Sequence, residues 1–440
     1  MAMVVKNNIG AKNTLNELDK NNKAAAKDLK KLASGMRINS AADDASGYAI
    51  ADRMDVQMRS LNQDNTNAQN GSALLKTAEG AVSSTVDILR TLKEKVINAA
   101  NDTNTDADRA TIQKELDQSV DQLEENASVT YNGQYLIDGS QNSEVLSPGT
   151  CTTFANESLQ AGTNAKKTPL TDMNERNGNS LGIQIGDTLT VSYVKNGVTS
   201  SNSITVDEFS TLSSVFASWS MVDVMGVAYD PDNPSYIGID QHGETVYTQD
   251  GGDAVAYRAS EAGINGQISG LTFQVIRSDG TVNKTASGKL DEFREVIRAQ
   301  DPSPDNSLSF QVGTRSNQTV RIGLTDMRPT ALGLRSTDGT TLNIRTQSSA
   351  RAAINVLDNA LEKALGEQTK IGSVTSRLGY TSSNIVVASE NTQASKSVIQ
   401  DADMAATMTS YTKNNVLSQA AQSMLAQANQ SSSSVLSLLQ

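Results

Sequence analysis

Apolar residues recur along this chain in two rhythms, and the change from one to the other separates helical ends from a stranded middle. Near the start, Leu15, Leu18, Leu29 and Leu32 fall at or close to helical spacing. Lys20, Lys23, Lys27, Lys30 and Lys31 occupy the other side and read as a solvated face. From about Ala45 to Ala100 there is no proline, and a helix of that length would extend ~80 Å. Within it Met54, Met58, Leu61, Ala68, Leu75, Val82, Val86 and Leu89 hold a 4-3 stagger, with Asn65, Ser72 and Glu79 in three seam positions. That period predicts coiled-coil packing, and polar seam residues weaken it while pinning its register. After a break at Asn101–Asp106, Ile112, Leu116, Val120, Leu123 and Ala127 predict a third amphipathic helix over Asp106–Ser128 that folds back. The run Tyr131–Gly139 then turns into strand.

From about Asn142 the texture becomes Gly, Ser, Thr and Asn with short alternating apolar runs. Thr188–Val194 and Val198–Val206 flank Asn196-Gly197, which supplies the positive φ angles of a tight hairpin. Leu271–Ile276 and Thr281–Lys284 are expected to pair in the same way through Asp279-Gly280. Asp207–Trp219 and Lys289–Ala299 read as short helices, with Trp219 in the core. Asp301–Asp305 marks the exit, Leu308–Val312 and Thr319–Leu324 a further hairpin, and Leu332-Gly-Leu334 the return to helix. In the last third Ile354, Leu357, Leu361, Ala364, Ile371, Leu378 and Ile385 keep a heptad stagger, with Gln368, Thr375 and Ser382 between them. Over Ser397–Gln430, Met404, Met408, Tyr411, Leu417, Ala421, Met424 and Ala428 are expected on one side. Neither end can bury its stripe alone, so the two are expected to pair, and any stripe left over needs another chain. The fold class is therefore α+β: long paired N- and C-terminal helices, a coiled-coil-like rod, enclosing a β-rich insertion.

The composition narrows the function. At 440 residues the chain can hold about three domains. A net charge of −12 and no extended Lys/Arg block leave no electrostatic footprint for nucleic acid. No apolar run is long enough to insert into a membrane, and the first residues lack the apolar core of a cleavable signal peptide. Cys151 is the only cysteine, which excludes an internal disulfide and a cysteine zinc site. His242 is the only histidine and lies in a loop-like tract, so a Ser-His-Asp triad has nowhere else to centre. Asp230-Pro-Asp-Asn233 has part of a calcium loop's spacing without its glycine or terminal glutamate. We therefore expect no catalytic residue, metal or cofactor.

The stretch Leu32–Met54, LASGMRINSAADDASGYAIADRM, ends one helix and starts the next. Ser40 or Asp43 could cap the second, with Asp43 and Asp44 in its first turn where the helix dipole favours negative charge. This long ordered motif resembles the N-terminal signature of bacterial flagellins. Ser376–Tyr380 and Met424–Gln430 resemble their C-terminal region, and Ile322–Leu334 resembles the strand that leads into it. The resemblance covers roughly 1–140 and 308–440. It implies a secreted structural protein that polymerises into the flagellar filament, exported unfolded through the flagellar type III apparatus and located outside the cell. The implied segments are 1–42 paired with 398–440 in an inner core, 43–143 and 305–397 in a helical rod, and 144–304 as a variable outer domain.

Leu29, Leu32, Arg37, Ile38, Asn39, Asp43, Asp44, Met404, Met408, Tyr411, Leu417, Met424, Leu436, Leu438 and Leu439 would then serve self-assembly. The implied partners are copies of itself, an export chaperone at the C-terminal segment, the hook–filament junction and filament cap proteins, and host Toll-like and NAIP receptors. The tail Val435–Gln440 would pack at the filament core and be read by the NAIP class. Flagellins that activate the Toll-like receptor usually read L-Q-R-x-R-E-L-A on the second long helix. Here the sequence is Leu89-Arg-Thr-Leu-Lys-Glu-Lys-Val96, placing Thr91 at an expected arginine and Lys95 at an expected leucine, whereas Glu115 matches. A one-residue slip would instead align Arg90. Weak receptor activation is the expectation. The competing class is a secreted adhesin or hydrolase carried by the middle domain, which a single histidine disfavours.

Overall fold

The structure, a computed structural model, describes residues 8–163, 165, 167–217, 224–226, 235–248, 252 and 254–438, with side-chain surroundings set aside for 216–217, 224–226 and 431–438. Its helices are α1 (Ile9–Ser34), α2 (Ala45–Ala99), α3 (Asp106–Ala127), α4 (Leu212–Ala217), α5 (Lys284–Leu290), α6 (Pro329–Leu332), α7 (Gln347–Gln400) and α8 (Met404–Leu438). The chain forms two compact units, one of residues 1–68, 311–318 and 380–440, the other of 69–310 and 319–379. Long helices do bracket a β-rich middle, as the apolar rhythms predicted.

In the first unit α1 starts where the Asn8 side chain accepts from the Ala11 N–H, and it ends where Gly35, at φ 71°, donates its N–H to the Lys31 carbonyl. α1 packs antiparallel on α8, with Asn8 Nδ2 donating to the Ala428 carbonyl at 3.2 Å and Asn414 Nδ2 to Asp28 Oδ2 at 2.8 Å. Apart from Ala24, Lys31 and Asn415, the less exposed positions of α1 are Ala11, Thr14, Leu18, Asn21, Ala25, Asp28 and Leu32, and those of the described part of α8 are Thr407, Tyr411, Asn414, Ser418, Ala421, Leu425 and Ala428. Both sets follow a strict heptad, but most members are small or polar.

This corrects two expectations. Leu15 and Leu29 do not share a face with Leu18 and Leu32; each is 52% exposed. Met404, Met408, Leu417 and Met424 do not line up with Tyr411 and Ala421 either, and remain exposed. The larger apolar side chains lie a residue or more off the seam, and one residue turns a helix face by ~100°. Elsewhere in this unit Ala51, Leu61, Ala68 and Ile385 are buried, and polar rungs join α2 to α7. Ser382 Oγ donates to Asn65 Oδ1 at 2.6 Å, Ser389 Oγ to Asn62 Oδ1 at 3.1 Å, and Lys396 pairs with Asp55.

In the second unit α2 meets both α3 and α7, linked by Asn126–Ser84 and Lys95–Glu115 on one side and Lys93–Asp358 on the other. Its buried stripe is therefore wider than a two-helix seam and adds Leu74, Ala78, Leu92, Val96 and Ala99 to the predicted positions. Thr105 and Asp108 form a capping box at the start of α3. Leu116, Val120, Leu123 and Ala127 are buried as predicted, but Gln113 is more buried than Ile112. Its amide donates to the Leu342 carbonyl at 2.9 Å and accepts from the Ile344 N–H at 2.7 Å. On α7 Leu357, Ala364, Ile371 and Leu378 are buried at seven-residue intervals.

The β-rich part contains a three-stranded antiparallel sheet, ordered Ile268–Ile276, Thr188–Lys195, Val198–Thr205. A four-stranded sheet runs Arg294–Ile297, Thr153–Asn156, Val255–Ala259, Val224–Gly226. Asn196 (φ 53°) and Gly197 (φ 73°) make the predicted hairpin turn. Phe154, Tyr257, Phe273 and Phe293 fill the shared core, with Phe273 and Phe293 stacked at 5.0 Å. Thr281–Lys284 does not pair as a strand. The chain does turn back, with Val282 bridging to Ile276 between the Arg277–Thr281 and Asn283–Val275 backbone bonds, but the pairing stops there because Asn283 caps α5 by accepting from the Ala286 N–H. Lys289–Ala299 is not a helix of its own: Lys289 and Leu290 end α5, and Arg294–Ile297 follows as a strand. Of Asp207–Trp219 only Leu212–Ala217 is described as helix, and Trp219 lies outside the described residues, as does Asp230–Asn233. Leu308–Gln311 and Thr319–Ile322 pair as predicted, but Ile322–Leu334 is not a continuous strand, since α6 occupies Pro329–Leu332.

Candidate functional site

The long motif after α1 forms a staple between the two ends of the first unit. The Gly35 carbonyl accepts from the Ala402 N–H at 2.9 Å, and the Arg37 N–H donates to the Gln400 carbonyl at 2.7 Å. Arg37 Nη2 adds a bond to the Ile399 carbonyl at 2.6 Å, and Ile38 is 1% exposed. The turn before α2 is thus tied to the turn between α7 and α8 by backbone bonds that pattern reading could not supply.

Asp43 closes the motif on itself. Its Oδ2 accepts from the Asn39 N–H and Ser40 Oγ, both at 3.2 Å, and its Oδ1 lies 3.2 Å from Lys27 Nζ. The Lys27 ammonium foremost, then the Asn39 N–H, holds this carboxyl below the usual range. Asn39 Nδ2 meanwhile donates to the Met36 carbonyl at 3.0 Å. Neither Ser40 nor Asp43 caps α2, and neither Asp43 nor Asp44 lies within its first turn. Asp44 is the cap, accepting from the Gly47 N–H at 2.9 Å, because the carboxylate of Asp43 is engaged backwards.

Gly47 allows this close approach. A Cβ there would stand 2.5 Å from Asp44 Oδ2 and 2.6 Å from Ile38 Cδ1. Gly47→Ala should therefore cost about 1–3 kcal/mol. The expected result is a lower urea midpoint, and an unchanged midpoint would contradict the tight packing.

Around the staple the first unit leaves large apolar side chains uncovered: Ile9, Leu15 and Leu29 on α1, and Met404, Met408, Val416, Leu417 and Met424 on α8. Leu32 is partly covered and Tyr411 faces the seam. Leu439 lies outside the described residues, as do the side chains of Leu436 and Leu438. Such an arrangement leaves an extended apolar surface in contact with water.

In the second unit, taken by itself, Arg90 pairs with Asp87 at 3.1 Å and Thr91 Oγ1 donates to the Asp87 carbonyl at 3.0 Å, both exposed. Lys95 Nζ lies 2.9 Å from Glu115 Oε1 across α2 and α3, so a proposed contact residue is held by its neighbour. His242 is exposed, with Nδ1 3.0 Å from the Glu144 carbonyl. Burial pushes the Cys151 thiol up, against a smaller opposing pull from Arg258. Among the described residues no cluster of three metal-ligating side chains occurs, and no helix is long and apolar enough to cross a membrane.

Comparison with known proteins adds sequence breadth to this geometry. The bacterial flagellin N-terminal helical region matches residues 5–142, and the bacterial flagellin C-terminal helical region matches residues 354–439. A flagellin of Clostridium tyrobutyricum is 32% identical, across 97% of this chain and 99% of its own. The flagellin of Bacillus subtilis is 26% identical, across 99% of this chain and all of its own. Among solved structures, flagellar hook associated protein-3 of Legionella pneumophila is 13% identical, covering 78% of this chain and 97% of that one, with a TM-score of 0.34.

Proposed function

The chain belongs to the bacterial flagellin family, and on that premise we propose that it is a structural subunit which polymerises helically into the extracellular flagellar filament. One observation carries the reading: α1 and α8 close on each other through a small, polar seam while Leu15, Leu29, Met404, Met408, Leu417 and Met424 stay uncovered. In this reading 1–42 and 398–440 line the inner core, 43–143 and 305–397 surround it, and 144–304 faces outward. The subunit leaves the cell unfolded through the type III apparatus, its C-terminal segment held by a chaperone. It then meets the junction and cap proteins at the ends of the filament. Purified protein seeded with filament fragments should grow helical fibres visible by electron microscopy. Absence of growth under conditions where a related flagellin elongates would overturn the assignment.

The same reading makes this subunit a weak Toll-like receptor ligand. Thr91 offers no guanidinium, and Lys95 presents an ammonium that already pairs with Glu115. The lost contacts are of the kind on which interfaces concentrate their affinity. Thr91→Arg with Lys95→Leu should raise potency on reporter cells by about tenfold or more, since each restored contact is worth roughly 1–2 kcal/mol. A double variant with unaltered potency would show that the positions are misassigned.

A further inference from the structure

At one end of the three-stranded sheet, three turns display apolar side chains that serve no core. Ile185, Phe209 and Val282 are 63%, 83% and 42% exposed. They belong together because buried Asp187 ties their turns. Its Oδ1 accepts from the Ser278 N–H at 3.2 Å, its Oδ2 from the Gln184 N–H at 3.0 Å, and its carbonyl from the Val206 N–H at 2.7 Å. The Gly186 N–H adds a bond to the Val206 carbonyl at 2.9 Å, and Val282 bridges to Ile276 beside Thr188. A rigid end, rather than a loose loop, therefore holds an exposed phenylalanine.

The charges around it are divided. Asp207 and Glu208 precede Phe209, whereas the turn bearing Val282 carries exposed Arg277 and Lys284 against the single carboxylate of Asp279. One side of the patch is acidic and the other is net basic. Two copies related by translation or rotation about a common axis could set the acidic side of one against the basic side of the next, a heterologous contact that continues indefinitely. Three side chains are too few for a stable dimer in solution, where interfaces bury ~1,200–2,000 Å². Copies already held side by side have a high effective concentration, so even a small contact is then occupied.

We infer that this sheet end is a lateral contact between the β-rich insertions of neighbouring copies of this chain, formed only in the polymer. The inference rests on the filament reading proposed above. Chains carrying Glu208→Cys and chains carrying Lys284→Cys, all with Cys151→Ser, would be copolymerised and mildly oxidised. A disulfide-linked dimer is expected in the mixed polymer and in neither the mixed monomers nor polymers of one variant alone. The Ile185→Ser, Phe209→Ser variant should polymerise, keep its monomer melting temperature, and dissociate on heating several degrees below the unaltered polymer. Polymers that form normally but give no mixed dimer, or that dissociate at an unaltered temperature in the serine variant, would overturn the contact. Failure of the unaltered chain to polymerise would instead sink the filament reading.

Discussion

Removing residues 1–32, or residues 397–440, should abolish polymerisation and leave the body from 45 to 396 folded. The reason lies in how little the first unit buries. Along α1 Ala25 alone is buried, and along the described part of α8 only Ser418 is. Between them run Asn21, Asp28, Asn414 and Thr407, which contribute register and little apolar burial. Ordering a residue costs roughly 1–2 kcal/mol of backbone entropy, while fully burying a Leu or Met returns about 1.5–3 kcal/mol. A pair whose largest apolar side chains face outward does not recover that cost alone, so its stable folding awaits neighbours that cover Leu15, Leu29, Met404 and Met408. Hydrogen exchange on the monomer should find α1 and α8 close to unprotected, and the same helices strongly protected in the polymer. Either truncation yielding normal filaments, or dense protection in the free monomer, would defeat this account.

That outcome bears on what could be read from the chain. Helix ends were legible because their signals are local: Ala45 to Ala99 lacks proline, and Asn101–Asp106 supplies a break and a cap. The heptad of α7 was equally plain, since Leu357, Ala364, Ile371, Leu378 and Ile385 are apolar at the buried positions themselves. On α1 and α8 the strongest apolar residues are not the seam, because the seam needs small and polar groups and the apolar ones serve an outer face. Hydrophobicity therefore pointed to the surface. In the middle, Asn196-Gly197 fixed a long hairpin by local backbone preference, whereas the turn at Asp279-Gly280 carries pairing only as far as Asn283, which then caps α5. The motif residues were visible as a block, but their roles were not. Arg37 bonds across more than 360 positions of sequence to Ile399, and the burial of Ile38 depends on the turn that this bond helps to hold.

The least legible feature is a buried ion pair, and replacing one member should give the largest single-residue effect in the second unit. Lys363 Nζ lies 2.8 Å from Glu295 Oε2, with side chains 8% and 5% exposed. Arg298 stands nearby, donating Nη1 to Thr325 Oγ1 at 3.3 Å and Nη2 to the Asp326 carbonyl, while Thr325 Oγ1 donates to Glu367 Oε2 at 2.7 Å. Nothing in the apolar rhythm distinguishes Lys363 from the exposed lysines of α1, since it falls on the strand-facing side of a helix whose heptad seam looks elsewhere. Lys363→Met removes the cation and strands a carboxylate inside the fold, at a cost of about 3–5 kcal/mol. Lys363→Met with Glu295→Gln removes both charges, and most of that loss should return because the carboxylate left without Lys363 is gone while Arg298 keeps Asp326 and Glu367 beside it. Burial, the leading cause, pushes the Lys363 amine below its ordinary 10.5, so between the lowered value and 10.5 the unfolded chain binds the extra proton. The unaltered protein should therefore gain stability relative to Lys363→Met as pH rises through that window, and the gain should be absent when both are compared below it. Urea titrations followed by circular dichroism decide the matter. A single variant as stable as its parent, or a double variant no better than the single, would show that the pair is not the keystone between its strand and α7.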